Sequence, residues 1–325
     1  AGRVTLNRQG QAQSVRARSG IVLAGGGAAA DAAGMRAHLS SPDHHFSMAP
    51  QTNTGELQKL AVALGASIDD AVVDPVNYAP VSVFREGARE IRFPHLFLDR
   101  AKPGLIAVNA RGRRFVDEAT SYHNFVRAMI AQPDGAAVPA WLVCDAAFLR
   151  QYGMGLVRPG IGSRKRYLAA GYLRKGATIA ELARSIDVPE EALTEEISRH
   201  NRFAAAGHDP DHGKGGNAYD LHQGDPRHSP NPCLGPINRA PFYAVAVYPG
   251  DIGSTRGLIT DDQGRVLDRE RRPIRGLYAC GNEMNSPMAG TYPGAGITLG
   301  PALTFGYIVG RSLGLQTRSR ETPKE

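Results

Sequence analysis

A short apolar run, Ile21-Val22-Leu23-Ala24, passes straight into three glycines, Gly25-Gly26-Gly27. Four apolar residues in a row are the mark of a buried strand. Glycines at its end remove every side chain where the backbone turns, so a ligand or another backbone can come into contact distance. The junction therefore puts a strand end beside a surface open to close approach, and the rest of the chain has to be organised around it.

Upstream, Arg3 to Leu6 and Gln13 to Arg16 flank a turn at Gln9-Gly10 and read as a β-hairpin. Residues 54–66 have helical apolar spacing and a glycine stop. From about residue 75 the character changes. Short apolar runs alternate with turns through residues 91–116, as in a meander of strands. Thr178 and Glu181 form a capping-box pattern that opens a helix through Ile186. A second helix starts at Asp187 and carries Leu193, Ile197 and His200 toward Gly207. Residues 208–240, rich in Gly, Pro, Asp and His, read as a long surface loop. Strand-like composition returns at Phe242 to Val247, Gly257 to Thr260, Val266-Leu267 and Pro273 to Cys280, and residues 297–313 form a final apolar helix.

Several function classes fall away on composition. The chain has 325 residues and a formal charge of +7, but the basic residues are scattered, with no basic helix and no interleaved aromatics, which argues against nucleic acid. The three cysteines, Cys144, Cys233 and Cys280, lie far apart and form neither a disulfide framework nor a zinc site. The pair His44-His45 and the set His208, His212 and His222 have no ligand spacing and read as solvated loop. No run of 18 apolar residues occurs, and residues 1–20 are polar rather than signal-like, so the expectation is a soluble, cytoplasmic protein without a metal.

Four segments carry a family resemblance: residues 21–27, Gly112 to Glu118, Gly276 to Glu283, and Thr291 to Gly300. In this order and spacing, and over nearly the whole chain, they resemble the flavoproteins that include fumarate reductase, succinate dehydrogenase and 3-ketosteroid dehydrogenases. The resemblance implies an α/β fold, the remainder of a Rossmann-like FAD-binding domain with an inserted α+β substrate (capping) domain. The flavin domain would occupy 1–75 and 250–325, and the insert 76–249. The family's G-x-G-x-x-G fingerprint, which holds the FAD pyrophosphate at a helix N-terminus, would lie before residue 1. Gly294-Ala295-Gly296 does not replace it, because it follows a loop and Leu299 stands at the third glycine position. The chain is thus either a fragment or a protein without a grip on the adenosine half of FAD.

By the same resemblance, the flavin would be held non-covalently by Ala24, Gly25 and Gly26 at the strand end, by Gly281, Asn282 and Glu283, and by Gly296, Ile297, Thr298 and Leu299 along its ring. A helix that starts near Ile297 points free N–H groups and its positive end outward, toward the charge a reduced flavin carries.

The substrate class turns on two positions. Fumarate reductases need fixed arginines, one after the segment that corresponds to Gly112–Glu118 and one in the loop before the last helix, because the guanidinium fork pairs with carboxylates. Here those positions hold Tyr122 and Tyr292, and the family's histidine-bearing segment reads Asp251 to Gly257. Two tyrosines suit a neutral ketone. The resemblance to 3-ketosteroid dehydrogenases implies that Tyr292 and the Gly296 N–H hold the ketone oxygen, Tyr122 takes a proton from the neighbouring carbon, and flavin N5 takes a hydride. A phenol with a reference pKa of about 10 is a weak base at neutral pH, so Tyr122 needs help. His123 is a poor helper if the segment is extended, since neighbours then face opposite ways.

The function expected is FAD-dependent desaturation of a ketone-bearing ring. Its partners would be a hydrophobic ketone, an electron acceptor such as a quinone and, at most, a peripheral membrane contact. The rivals are an ene-reductase of the fumarate or urocanate type and a non-catalytic remnant with half a flavin site. Tyr122 and Tyr292 as packed aromatics, and Arg113, Arg114, Asp117 and Glu118 as structural ion pairs, are the plainer readings of those residues.

Overall fold

The computed structural model describes residues 2–160 and 162–321. The chain divides into two compact units. The first comprises Ala1–Leu39, Ala49–Asn77 and Ile252–Glu325, and the second Ser40–Met48 and Tyr78–Asp251.

In the first unit, Arg3–Arg8 and Gln11–Arg16 pair antiparallel. Gln9 and Gly10 both have positive φ, 52° and 82°, the geometry of a tight hairpin turn. Strand Ile21–Leu23 lies parallel to Pro273–Ala279, with Leu277 opposite Ile21 and Ala279 opposite Leu23. Arg265–Leu267 adds antiparallel on the other edge. Leu23, Leu258, Val266, Leu277, Ala279 and Met284 form the core beneath this sheet, and Leu57 and Phe305 pack against it. These two come from the helices Glu56–Ala63 and Leu299–Glu321. Each fully buried Leu or Val contributes roughly 1.5–3 kcal/mol, so this small core suffices to fix the strand end that precedes the glycines.

The second unit is built on a seven-stranded sheet. Its main path runs Arg89–Pro94, Val76–Glu86, Phe242–Ser254, Ala140–Asp145 and Leu105–Val108. Two short strands, Phe46–Ser47 and Leu173–Gly176, also pair with Phe242–Ser254. The pairing of Phe46 with Gly250 is what brings Ser40–Met48 into this unit. Helices Ile179–Ser185 and Glu190–Ala206 bury Leu182, Leu193 and Ile197 against Ile106, Val143 and Ala244 of the sheet. Thr178 caps the first of them by accepting from Glu181 N, and Gly207 ends the second in the left-handed region. The architecture is the α/β and α+β combination that the sequence pattern implies.

Four local expectations are corrected. Residues 208–240 are not a surface loop: they contain the helix Ala218–Gln223 and bury Asp209, Lys214, Asp220, Cys233 and Ile237. The polar composition is misleading because the charges neutralise one another inside. Arg114 holds Glu118 with two bonds of 2.8 Å and Asp209 with one of 2.9 Å, and Lys214 Nζ lies 3.3 Å from Glu118 and donates to Leu105 O at 2.7 Å. Residues 257–260 make isolated bridges rather than a strand. His45 is not solvated; its Nε2 is 2.6 Å from Asp251 Oδ2. Finally, His123 lies in the helix Tyr122–Ile130, not in an extended segment. Among the described residues, no helix is long and apolar enough to cross a membrane.

Candidate functional site

The glycine junction closes on a residue from the far end of the chain. Glu283, 1% exposed, accepts the N–H of Gly27 on Oε1 at 3.0 Å and also the N–H of Gly25. It belongs to a single 3-10 turn, Gly281–Glu283, at the end of strand Pro273–Ala279. Burial pushes the Glu283 carboxyl above its ordinary pKa, and the two glycine amides work against that rise. Its second oxygen, Oε2, is buried without a hydrogen-bond partner among the described residues.

All three glycines are crowded by the protein itself: a Cβ at Gly25 would stand 2.7 Å from Leu57 Cδ1 and 2.8 Å from Glu283 Oε1. Gly27 has φ +84°, and a Cβ there would stand 2.2 Å from Ser254 Oγ and 2.5 Å from Asn282 O. At Gly26, φ +96°, a Cβ would meet the Asn53 side chain at 2.8 Å, and Asn53 Nδ2 donates to Gly26 O. Ser254 Oγ accepts the Ala28 N–H at 3.2 Å, which locks the turn. Ala24 and Gly25 remain exposed and available to a ligand.

Further along, residues 285–298 lead to the helix Leu299–Glu321. The Gly300 N–H bonds to Gly296 O at 2.7 Å and the Ala302 N–H to Thr298 O at 3.2 Å, so the amides of Ile297, Thr298 and Leu299 precede the first helical bond. Gly294, Gly296 and Gly300 have open space where a Cβ would stand, and Gly296 has φ +94°. Ile297 is buried, Thr298 half-buried and Leu299 exposed. Met288, Pro293, Ala295, Ile297, Thr304 and Phe305 line a 540 Å³ cavity there, with no charged side chain in its wall. Tyr292 is buried, 8% exposed, and burial pushes its phenol up to about 12. At neutral pH it is therefore a hydrogen-bond donor and not a base.

Tyr122 belongs to the second unit and opens the helix Tyr122–Ile130. Ser121 caps that helix by accepting the Asn124 N–H at 3.2 Å. Tyr122 is 5% exposed and His123 fully buried. The His123 Nδ1 accepts the Tyr78 N–H at 3.2 Å, and the two rings lie 5.4 Å apart. On its other side Tyr78 meets His45 at 6.2 Å, and Ser47 Oγ donates to Asp251, the partner of His45, at 3.0 Å. Sequence reasoning missed this buried series, because a His-His pair in a polar stretch carries no periodic signal.

The structure thus brings Gly25, Asn282 and Glu283 together, places Gly296 to Leu299 at one helix start, and sets Tyr122 in a separate unit from Tyr292.

Against known proteins, the FAD binding domain family matches residues 2–299, and the chain belongs to that family. It is 38% identical over 314 residues to the 4-oxocyclohex-2-ene-1-carboxylate 5-dehydrogenase of Sinomonas cyclohexanicum, covering 94% of this chain and 52% of that protein. It is 35% identical over 312 residues to the 3-oxosteroid 1-dehydrogenase of Mycolicibacterium smegmatis, covering 94% and 53%. Among solved structures, it superposes on the 3-ketosteroid delta1-dehydrogenase of Sterolibacterium denitrificans, in complex with 1,4-androstadiene-3,17-dione, with a TM-score of 0.89 at 38% identity, over 96% of this chain and 56% of that one. The chain spans about half the length of the curated relatives it matches.

The residues present fit the family's cofactor, FAD. Glu283 Oε2 is an orphaned acceptor suited to a hydroxyl-bearing ligand, the glycines at 294, 296 and 300 leave an open cradle, and a helix start offers amide donors to a group that gains negative charge.

Proposed function

We propose that the chain carries the flavin-ring and substrate-binding part of a dehydrogenase that introduces a double bond beside a ring ketone. The observation that carries this reading is Tyr292: it stands where a dicarboxylate enzyme would need an arginine, and burial keeps its phenol protonated. The relatives, by their names, act on 3-oxosteroids and on a 4-oxocyclohexene carboxylate. The chemistry common to both is a ketone in a six-membered ring. The cavity beside Pro293, whose lining the flavin ring would share, offers no fixed cation to a dicarboxylate.

In this reading Tyr292 donates its O–H to the ketone oxygen, and the Gly296 N–H is the second donor. Drawing electron density onto that oxygen acidifies the neighbouring C–H and stabilises enolate character as the proton leaves. Tyr122, as its phenolate, receives that proton and becomes the neutral phenol. FAD, when bound, supplies the two-electron acceptor for the hydride from the next carbon. Gly281, Asn282, Glu283, the exposed Ala24 and Gly25, and the amides of Ile297 to Leu299 would hold it. Reoxidation requires an acceptor, for which a quinone has suitable chemistry.

The experiment is dye reduction by the flavin-loaded protein with a 3-oxosteroid, with 4-oxocyclohexanecarboxylate, and with fumarate under reducing conditions. Turnover of either ring ketone supports the reading. Reduction of fumarate with no ketone oxidation would replace it by the ene-reductase alternative.

A further inference from the structure

Arg100 is an arginine whose fork, in the described structure, bonds only backbone oxygens. It is 2% exposed, and four of its N–H contacts end on carbonyls. Nε donates to His95 O and Nη2 to Leu96 O, each at 2.7 Å. Nη1 donates to Glu118 O at 2.7 Å and to Thr120 O at 3.2 Å. The guanidinium also lies 4.9 Å over the ring of Phe125, on the helix that Tyr122 opens. Burial lowers its pKa to about 10, with Asp99 the first opposing charge, so it remains a cation at neutral pH.

The two ends of this fork have different mechanical roles. His95 and Leu96 sit in a rigid turn: His95 Nδ1 is 2.7 Å from Asp99 Oδ2 and its Nε2 is 2.7 Å from Ser82 Oγ. Asp99 in turn accepts the Gly155 N–H at 3.0 Å, and Ser82 Oγ is 2.7 Å from Tyr172 OH. All of these groups are buried or nearly so. The other end grips Glu118 and Thr120, the residues directly ahead of the cap Ser121 and of Tyr122. Glu118 is itself fixed by Arg114 and by the Ala107 N–H at 3.0 Å.

We propose that Arg100 is the positioning residue for Tyr122: its planar fork ties the turn Glu118–Thr120 to the rigid turn His95–Leu96 and thereby fixes where the Tyr122 helix begins. The proposal rests on the reading of Tyr122 as the proton acceptor. A lysine cannot do the same, since an ammonium is a point donor on a flexible stem and cannot span carbonyls on two turns in one plane. Proton abstraction is sensitive to such a loss, because a displacement near 1 Å can cost about a hundredfold in rate while leaving binding intact.

The test compares Arg100→Lys and Phe125→Leu with the unaltered flavin-loaded protein, by two readouts. With a ring ketone, Arg100→Lys lowers kcat at least tenfold with KM within threefold and flavin content unchanged, and the isotope effect from deuterium at the carbon beside the ketone rises. Phe125→Leu, which removes the ring under the guanidinium together with its contact to Phe115 but keeps an apolar side chain there, gives a smaller change in the same direction. A parallel loss of flavin, or a change in KM with kcat unchanged, overturns the positioning role. Backbone hydrogen exchange supplies the second readout and needs no turnover. The amides of Asn124 and Phe125 exchange at least tenfold faster in Arg100→Lys, while those of Leu193 and Ile197 keep their protection. Equal protection at 124 and 125 overturns the clamp. If the unaltered protein oxidises no ketone, the reading of Tyr122 fails, while the exchange result still decides the clamp.

Discussion

Glu283 Oε1 accepts the backbone N–H of Gly27 at 3.0 Å, although the two residues are 256 positions apart. One carboxylate oxygen thus closes the strand-end turn from the far side of the chain, while the other has no donor among the described residues. Glu283→Ala leaves the Gly25 and Gly27 amides without their acceptor, and an unpaired buried donor costs about 1–3 kcal/mol. Urea unfolding should show a loss of that size. Glu283→Gln keeps an acceptor oxygen and should lose less, while weakening retention of FAD in equilibrium dialysis.

Two glycines with similar φ should lose different amounts of stability on substitution by alanine. Gly27→Ala forces a Cβ to within 2.2 Å of Ser254 Oγ and 2.5 Å of Asn282 O. Overpacking and a disallowed φ together cost about 2–4 kcal/mol. Gly296→Ala pays only the backbone term, about 1–2 kcal/mol, since nothing lies within 4 Å. Its larger effect should fall on FAD retention, measured by the flavin absorbance that stays with the protein after gel filtration. Equal losses of stability in the two variants would contradict this division.

His200 makes stability depend on pH. It is fully buried, its Nε2 is 3.0 Å from Gly235 O, and burial, with Lys214 and Arg114 adding, lowers its pKa to about 4. Below the unfolded value of about 6.5 the unfolded chain takes up a proton that the folded chain refuses. Stability from this group is therefore complete above pH 6.5 and is lost as pH falls toward 4, by about 3 kcal/mol in all. Thermal melts of His200→Gln should lose that slope.

Asp117 acts with the opposite sign. Burial and the neighbouring carboxylates of Asp220 and Glu118 raise its pKa to about 7. The folded chain keeps this proton where the unfolded chain gives it up, so the contribution is complete below about pH 4 and is lost as pH rises through 7. Asp117→Asn should melt at a temperature less dependent on pH between 5 and 8, with the gain over the unaltered protein largest at the upper end.

Much of the frame was legible because it rests on local rules. The strand Ile21–Leu23, the hairpin at Gln9-Gly10 and the helix capped by Thr178 follow from apolar runs, turn residues and caps. The family segments led to the FAD-binding fold for the same reason, since a glycine at a crowded turn is visible in sequence. What sequence could not show were charges that satisfy one another at a distance. Arg114 and Glu118 read as ion-pairing residues from sequence, but their partners Asp209 and Lys214, and His45 with Asp251, look like surface residues until the fold pairs them. Arg100 was equally silent, because its partners are backbone carbonyls, which have no sequence signature.

Tyr292→Phe tests the donor to the ketone. Removing one preorganised donor costs about 10²–10³ in kcat. Because the phenol of Tyr292 is pushed up to about 12, its ionisation should place no alkaline limb on the rate up to pH 10. A limb below pH 10 that disappears in Tyr292→Phe would contradict the assignment.

The most direct measurement is anaerobic stopped-flow reduction of the flavin by a 3-oxosteroid, in the unaltered flavin-loaded protein and in Tyr122→Phe. The account predicts bleaching of the flavin absorbance with the unaltered protein, and a rate at least a hundredfold lower in Tyr122→Phe with the flavin still bound. Bleaching at an undiminished rate in Tyr122→Phe would contradict it, and so would an unaltered protein that binds flavin but oxidises no ring ketone.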